Sequence, residues 1–529
     1  MAETRLIPPK NGVTVRFYRI GHGDCFLLAF ATKKPSRPTY VLIDCGYKPG
    51  SPGKIDPPTD PADVVADIAV ATGGRIDVFV VTHEHQDHLN AITAANFTGI
   101  EVGQTWLAWT EDDNDAVANA LRAEYNDRLY ALVAARHRLA GVADLSEAAS
   151  RIDRLLESEL GFDASRDALP AAGALFGALN FGDNKRSLKL ARDLAGGNVQ
   201  TIRPHEDIMN LPDVEGVRVF ALGPPRPETM EEAVAIFRQD DPASGSDQAF
   251  PRLTFGVGTL GAGFAAAATA APGATGLSPF ATRYGVPVER LAHDAADGRF
   301  FSHHYGHYVD GKVAYNQSVQ DAARVPARGE VPDDAEWRRI DNDWLLAAEQ
   351  LALDAANFHN NTSLVLAFEL GKGGKVLLFA ADAQLGNWLS WVDNSWTDDD
   401  GDEITVRDLL ARTVLYKVGH HGSHNGTLNG RRTDAWPNLD WMAVKPKHAR
   451  EFVAMITAVP AWAKTQPGWH HPLPSIKAAL LDKAAGRVLQ TDTPRDDMSM
   501  PEDGEPSDWQ AFQSRTIGEH LFFDLTITR

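Results

Sequence analysis

Val78-Phe79-Val80-Val81-Thr82-His83-Glu84-His85-Gln86-Asp87-His88 is an apolar strand that stops abruptly and sets three histidines and an aspartate within six residues. Imidazoles crowded in this way compete for hydrogen-bond partners and repel one another once protonated. Neutral imidazoles with a carboxylate beside them are what a pair of zinc-like ions requires. His83 and His85 can point the same way from a strand end, and Asp87 with His88 can turn towards a second ion. A polar surface loop would not need every one of these positions, so the stretch reads as a metal site.

Four ligands in one loop do not close two metal shells, and the rest is sought at later strand ends. Val376-Leu-Leu-Phe-Ala-Ala-Asp382 is an apolar strand ending in a carboxylate placed to bridge two ions. Val414-Leu-Tyr-Lys-Val-Gly419-His420-His421-Gly422-Ser423-His424 is a strand ending in a histidine cluster. Taken alone, Asp382 would pass for a helix cap and His420 with His421 for a polar turn; together with the first motif they read as the second half of the site.

Around these motifs the chain alternates strands and helices. Strand patterns cover Val13 to Ile20, Cys25 to Phe30, Thr39 to Cys45 and Ile76 to Val81, with a helix over Pro61 to Ala71. Residues 101–200 read as a helical insertion or cover, on the spacing of Val117, Leu121, Tyr125, Leu129 and Leu132. Residues 226–334 read as a second insertion, rich in Gly and Ala and suited to a lid, with an aromatic and histidine cluster at Phe300 to Tyr308. Strands return at Val217 to Leu222, Ser363 to Phe368, Lys375 to Ala380, Val414 to Val418, Arg487 to Gln490 and Leu521 to Ile527. Helices are expected at Trp337 to Ala355 and Ser475 to Ala485. The pattern predicts an α/β protein with two sheets packed together and flanked by helices, one catalytic domain over 1–529.

The three motifs quoted above, together with two turns near the start of the chain, resemble the metallo-β-lactamase-fold hydrolases, and within them the soluble domain attached to bacterial DNA-uptake channel proteins and its free-standing relatives. Gly21-His22-Gly23-Asp24-Cys25 is similar to the family's Gly-Gln-Gly-Asp-Ala turn, and Leu42-Ile-Asp44-Cys-Gly46 to its acidic turn. Thr82 to His88, Asn360 to Leu366 with Leu377 to Asp382, and Lys417 to Ser423 follow, trailed by His471-Pro472 and Arg487 to Asp492. The likeness runs from Val13 to Thr493, with both insertions unmatched. It implies a four-layer αβ/βα sandwich with two divalent ions, zinc or else manganese, at the sheet edges. Leu89-Asn90 stands where the uptake-channel pattern has two glycines, and Ala381 where it has Gly before the bridging aspartate.

On this reading His83, His85 and Asp382 hold one ion, and Asp87, His88, Asp382 and His420 the other. Asp87 also orients the attacking water, and His421 faces the substrate or the outer shell; the two adjacent histidines are open to exchanging roles. Asp24 and Asp44 are expected to orient ligands from outside. His359, Asn360 or water completes the first shell, His359 standing four residues before Ser363 as in the family's His-x-x-x-Ser turn.

The resemblance implies hydrolysis, with phosphodiester bonds expected, in a nucleotide or a nucleic acid. A carboxylic ester, thioester or lactam is the alternative, and a metal-stabilised interaction module a third. A net charge of −20 argues against a non-specific nucleic-acid coat, although 412–450 carries seven Lys and Arg against two acids. The two cysteines, Cys25 and Cys45, lie in apolar runs, as expected of buried thiols in a reducing compartment. Residues 1–10 lack an apolar core of signal-peptide length, and Leu260 to Ala271 is too short to span a bilayer. A cytoplasmic protein without membrane segments is expected.

Overall fold

The structure, a computed structural model, describes residues 5–139, 146–161, 182–229, 232, 233, 236, 358–391, 394–423, 426, 438–466, 469–502 and 504–529. Strands β1 (Gly12–Tyr18), β2 (Cys25–Phe30), β3 (Thr39–Cys45), β4 (Arg75–Val80), β5 (Glu101–Ala108) and β6 (Val199–Ile202) open the chain. β7 (Met209–Asn210), β8 (Val217–Gly223), β9 (Val365–Leu370), β10 (Lys375–Phe379), β11 (Ser395–Thr397) and β12 (Glu403–Thr405) come next. β13 (Thr413–Lys417), β14 (Val453–Ile456), β15 (Val488–Gln490), β16 (Thr516–Gly518) and β17 (Phe522–Thr528) complete them.

One sheet has eight strands in the order β16-β17-β1-β2-β3-β4-β5-β6, the other seven in the order β15-β14-β13-β10-β9-β8-β7. Each is antiparallel on one side and parallel on the other. The pairs β3–β4, β4–β5 and β5–β6 are parallel in the first, and β10–β13, β13–β14 and β14–β15 in the second. Parallel neighbours need crossovers. Helix α1 (Pro61–Thr72) is the crossover from β3 to β4; Asp60 caps its start by accepting from the Ala62 amide, and Gly73 ends it in a left-handed turn at φ 65°.

Inward-facing residues of both sheets share one core, Val15, Phe26, Leu28 and Val80 from the first with Val219, Leu366, Leu377 and Phe379 from the second. Phe379 stands edge-on to Phe26 at 5.4 Å and to Phe368 at 5.8 Å between ring centres, so one ring ties β10 to β2 and β9. Other buried residues of the first sheet pack with Val64, Val65 and Ile68 of α1, and those of the second with Trp388, Leu409 and Leu480 of later helices. Truncating Phe379 removes the inter-sheet ring just ahead of the Asp382 turn. Phe379→Ala is expected to cost about 3–5 kcal/mol of unfolding free energy, read from urea denaturation.

The sequence reading missed two strands that matter. β5 begins with exposed Glu101 and exposed Gly103, so its apolar signal starts only at Thr105, and β14 is four residues long. The stretch read as a helical cover, 101–200, therefore opens with a strand of the first sheet. Its helical part is α3 (Ala116–Leu139) and α4 (Ser146–Leu160), followed by a helix at Asp183–Leu194. Packing divides the chain into a unit of 1–129, 153–251 and 353–529 and a unit of 130–152 and 252–352. The lid expectation for 226–334, the Phe300 to Tyr308 cluster, the Trp337 to Ala355 helix and His424 fall almost wholly outside the described residues. Among the described residues no helix is long and apolar enough to cross a membrane.

Candidate metal centre

Among the described residues, the acidic and histidine motifs lie at strand ends of the two sheets. Asp24 precedes β2 and Asp44 ends β3. His83 and His85 follow β4, with Asp87 and His88 on the short helix α2 (Gln86–Leu89). Asp382 follows β10, His420 and His421 follow β13, and Thr457 follows β14. Carboxyl ends of parallel strands are where open α/β sheets build their sites.

The turns are tight. Asp44 (φ 53°), Ala381 (φ 46°), His420 (φ 44°) and His421 (φ 52°) all adopt left-handed backbone, four of the nine such non-glycine residues described. Each costs on the order of 1 kcal/mol or more, and clustering of that kind marks a functional site. A side chain on Gly46 would collide with the backbone of His88 and Leu89 at 2.5 Å, and one on Gly23 with the carbonyl of Asp87 at 2.5 Å. Glycine lets the first, second and third motifs touch backbone to backbone.

Each imidazole is held from behind. The Thr82 hydroxyl donates to Asp44 Oδ2 at 2.7 Å, so Thr82 Oγ1 in turn accepts from His83 Nδ1 at 3.1 Å. His85 Nε2 donates to Glu159 Oε1 at 2.9 Å, and His88 Nδ1 to Asp44 Oδ2 at 2.8 Å. His421 Nδ1 donates to the Thr457 carbonyl at 3.0 Å. The opposite nitrogens point inward: His83 Nε2 and His85 Nδ1 converge at 3.0 Å. His88 Nε2 lies 3.2 Å from Asp382 Oδ2 without a hydrogen bond, and His421 Nε2 lies 2.9 Å from Asp87 Oδ2 and 3.2 Å from Asp382 Oδ2. Outer acceptors that fix the tautomer and leave the inner nitrogen facing carboxylates are the arrangement of metal-binding histidines.

Three buried groups of ligand atoms result among the described residues, Asp24 with His88, Asp382 and His421, His83 with His85 and Asp382, and His85 with Glu159 and His359; their atoms lie within 4.8 Å of one another in each group. Asp382 belongs to the first two. The donor set, imidazole nitrogen with carboxylate oxygen and one inner nitrogen lacking any hydrogen bond, fits a divalent ion.

Cations of the chain itself neutralise part of this cluster. Lys417 Nζ lies 2.5 Å from Asp24 and 3.4 Å from Asp382, and Lys48 Nζ 2.9 Å from Asp87. Burial works against charge on Asp382, yet His421, His88 and Lys417 hold its carboxyl well below the usual range. Burial likewise opposes Asp87, and Lys48 with His421 keeps it far below. For His421 the carboxylates of Asp382 and Asp87 outweigh burial and raise it to about 9; Asp382, Asp24 and Asp44 raise His88 well above the ordinary value against the same opposition. Burial, then His88 and His85, push His83 far down, so it is a neutral donor.

His83, His85, His88, Asp382 and His421 fall in the buried ligand groups; Asp87, expected as a ligand, stands in none of them and lies 2.9 Å from His421 Nε2, and His420 stands apart. Of the two adjacent histidines whose roles were open to exchange, His421 is the one that faces Asp87 and Asp382. The half-buried ring of His420 turns to Ser423 Oγ at 2.6 Å, Gln384 at 3.1 Å and Asn360 at 3.4 Å, and His421 takes the inner place. Asp24 joins the inner group rather than standing outside it, whereas Asp44 stands outside. Of the candidates for the remaining ligand, His359 is the one beside His85, with ring centres 4.5 Å apart; Asn360 faces His420.

Glu159, Lys48, Lys417 and His22 were given no role from sequence. Only Glu159 left a trace: in α4 it shares the helix face of Ile152, Leu156 and Leu160, a carboxylate on a buried apolar stripe. His22 packs its ring 4.6 Å from His421 and 5.3 Å from His471, which lies 4.8 Å from Trp469. The basic segment shrinks: Arg412 pairs with buried Glu369 at 2.6 Å, Lys417 is buried, and Arg431 and Arg432 lie outside the described residues. Beside α2 opens a cleft of about 560 Å³, lined among others by Tyr47, Gln86, Asn90 and Arg186.

Comparison with known proteins finds no matching family model and no similar curated protein.

Proposed function

We propose that this chain is a hydrolase dependent on two divalent ions, zinc or manganese, built as the four-layer αβ/βα sandwich of the metallo-β-lactamase fold, and that it cleaves phosphodiester bonds. The observation that carries this reading is the pair of ligand groups sharing Asp382, each with its imidazoles held from outside. His83, His85 and Asp382, with His359 beside them, would hold one ion; Asp24, His88, His421 and Asp382 the other. Bound there, the ions supply Lewis acidity and a nucleophilic water near neutral pH.

The chain's own residues do the rest. Asp87 stays ionised beside Lys48, so it accepts a hydrogen bond from water and aims it rather than keeping a proton. Lys417, buried against Asp24 and Asp382, holds both carboxylates in place. Arg186, which lines the cleft, offers positive charge to an anionic substrate. Exposed Lys445, Lys447 and Arg450 are a thin basic surface, which favours a small phosphodiester over a long nucleic acid.

A substrate screen with zinc and manganese tests the proposal. Wild type should release nitrophenol from bis(p-nitrophenyl) phosphate, and His85→Ala should lower the rate at least about 100-fold. Cleavage of thioesters or lactams alone would move the assignment to carboxyl chemistry. Metal uptake without any hydrolysis would point to an interaction module, and no metal uptake would end the proposal.

A further inference from the structure

We infer that Glu159, carried by the cover helix α4, is a positioning residue that orients His85 and His359 together, so that the helix is a working part of the metal centre. This rests on the metal-binding reading above. The Glu159 carboxylate is buried and each oxygen is engaged: Oε1 accepts from His85 Nε2 at 2.9 Å and Oε2 from His359 Nδ1 at 3.0 Å. The Tyr125 hydroxyl of α3 donates to Oε2 as well and lies 3.0 Å from His359 Nδ1. With its Nε2 proton committed to Glu159, His85 keeps its lone pair on Nδ1, the nitrogen that meets His83 Nε2 at 3.0 Å. His359, committed through Nδ1, likewise keeps its lone pair on Nε2. One carboxylate thus sets two tautomers.

The helix end is locked where this requires it. Asn184 Nδ2 donates to the carbonyls of Ser158 at 2.9 Å and Glu159 at 3.2 Å, and to that of Glu84, between His83 and His85, at 3.1 Å. Gly161 turns left-handed at φ 78°, and a side chain there would strike Asn184. Ser158 accepts from Lys48 Nζ at 2.5 Å, so the same helical turn touches the Asp87 partner too. A buried carboxylate on an apolar stripe needs such partners, and here the partners are two imidazoles and a phenol.

Glu159→Gln keeps the shape but can accept through only one atom. Zinc titration against a chromophoric chelator should show one equivalent weakened about 10–100-fold, the other unchanged. The zinc-free melting temperature should stay within a few degrees of wild type. Long-range 1H–15N spectra should show His85 as the Nε2–H and His359 as the Nδ1–H tautomer in wild type and lose that order in the variant. Tyr125→Phe, which leaves the carboxylate, should weaken the same equivalent less. Wild-type affinity and unchanged tautomers in Glu159→Gln would overturn the inference, as would zinc bound directly to Glu159 in a crystal of the loaded protein. A wild type that takes up no zinc would instead sink the metal reading itself.

Discussion

Asp382→Ala is expected to abolish divalent-metal binding at both ligand groups and hydrolysis with it, and to destabilise the metal-free protein by about 3–5 kcal/mol. The carboxylate is shared by both groups, so no single histidine replacement should match it. Its removal also leaves Lys417, His88 and His421 facing one another in the interior without their common counter-charge, and an uncompensated buried charge is what makes such losses large. Metal content by mass spectrometry and urea unfolding of the chelated protein read the two effects separately. A variant that still holds two ions per chain would remove Asp382 from the centre.

The second large effect is a pH dependence that reverses with metal. His421 titrates near 9 when folded, against about 6.5 when unfolded. A raised pKa gives stability that is complete below the unfolded value and is lost as pH climbs through the folded one. Chelated protein should therefore weaken between pH 6.5 and 9.5, by about 3 kcal/mol from His421 alone. Metal demands the deprotonated ring, so its affinity rises over the same interval as protons on His421 and His88 cease to compete. Melting temperatures with zinc and with chelator should diverge as pH increases, and calorimetry in buffers of different ionisation heat should show proton release on zinc binding at pH 7. Parallel melting curves would contradict the protonated state assigned to these two histidines.

Much of the centre was legible because its parts are strand ends. An apolar run that halts at a histidine or an aspartate announces itself whatever lies 300 residues away, and β4, β10 and β13 all do so. What escaped depends on geometry that spacing does not encode. Consecutive left-handed residues at His420 and His421 reverse the chain so that only the second ring enters the cluster, and alternation along a strand predicts nothing about such a turn. Glu159 meets His85 across 74 residues and His359 across 200; its one visible mark was a charge on the face with Ile152 and Leu156. β5 was lost because Glu101 and Gly103 dilute its first half. Lys417 counts among the basic residues of 412–450, yet it is almost wholly buried among carboxylates.

That lysine, with Lys48, also gives the centre the character of an ion exchanger. Asp24, Asp87 and Asp382 already have resident counter-ions, two ammonium groups and two protonated imidazoles, which explains how so many acids share an interior without metal. On the proposed reading, divalent uptake would discharge the mobile protons while the ammonium groups stay behind. Loading would then tip the local balance towards positive, in a chain whose overall charge is −20. An otherwise anion-repelling protein would keep one place where a phosphate is drawn in.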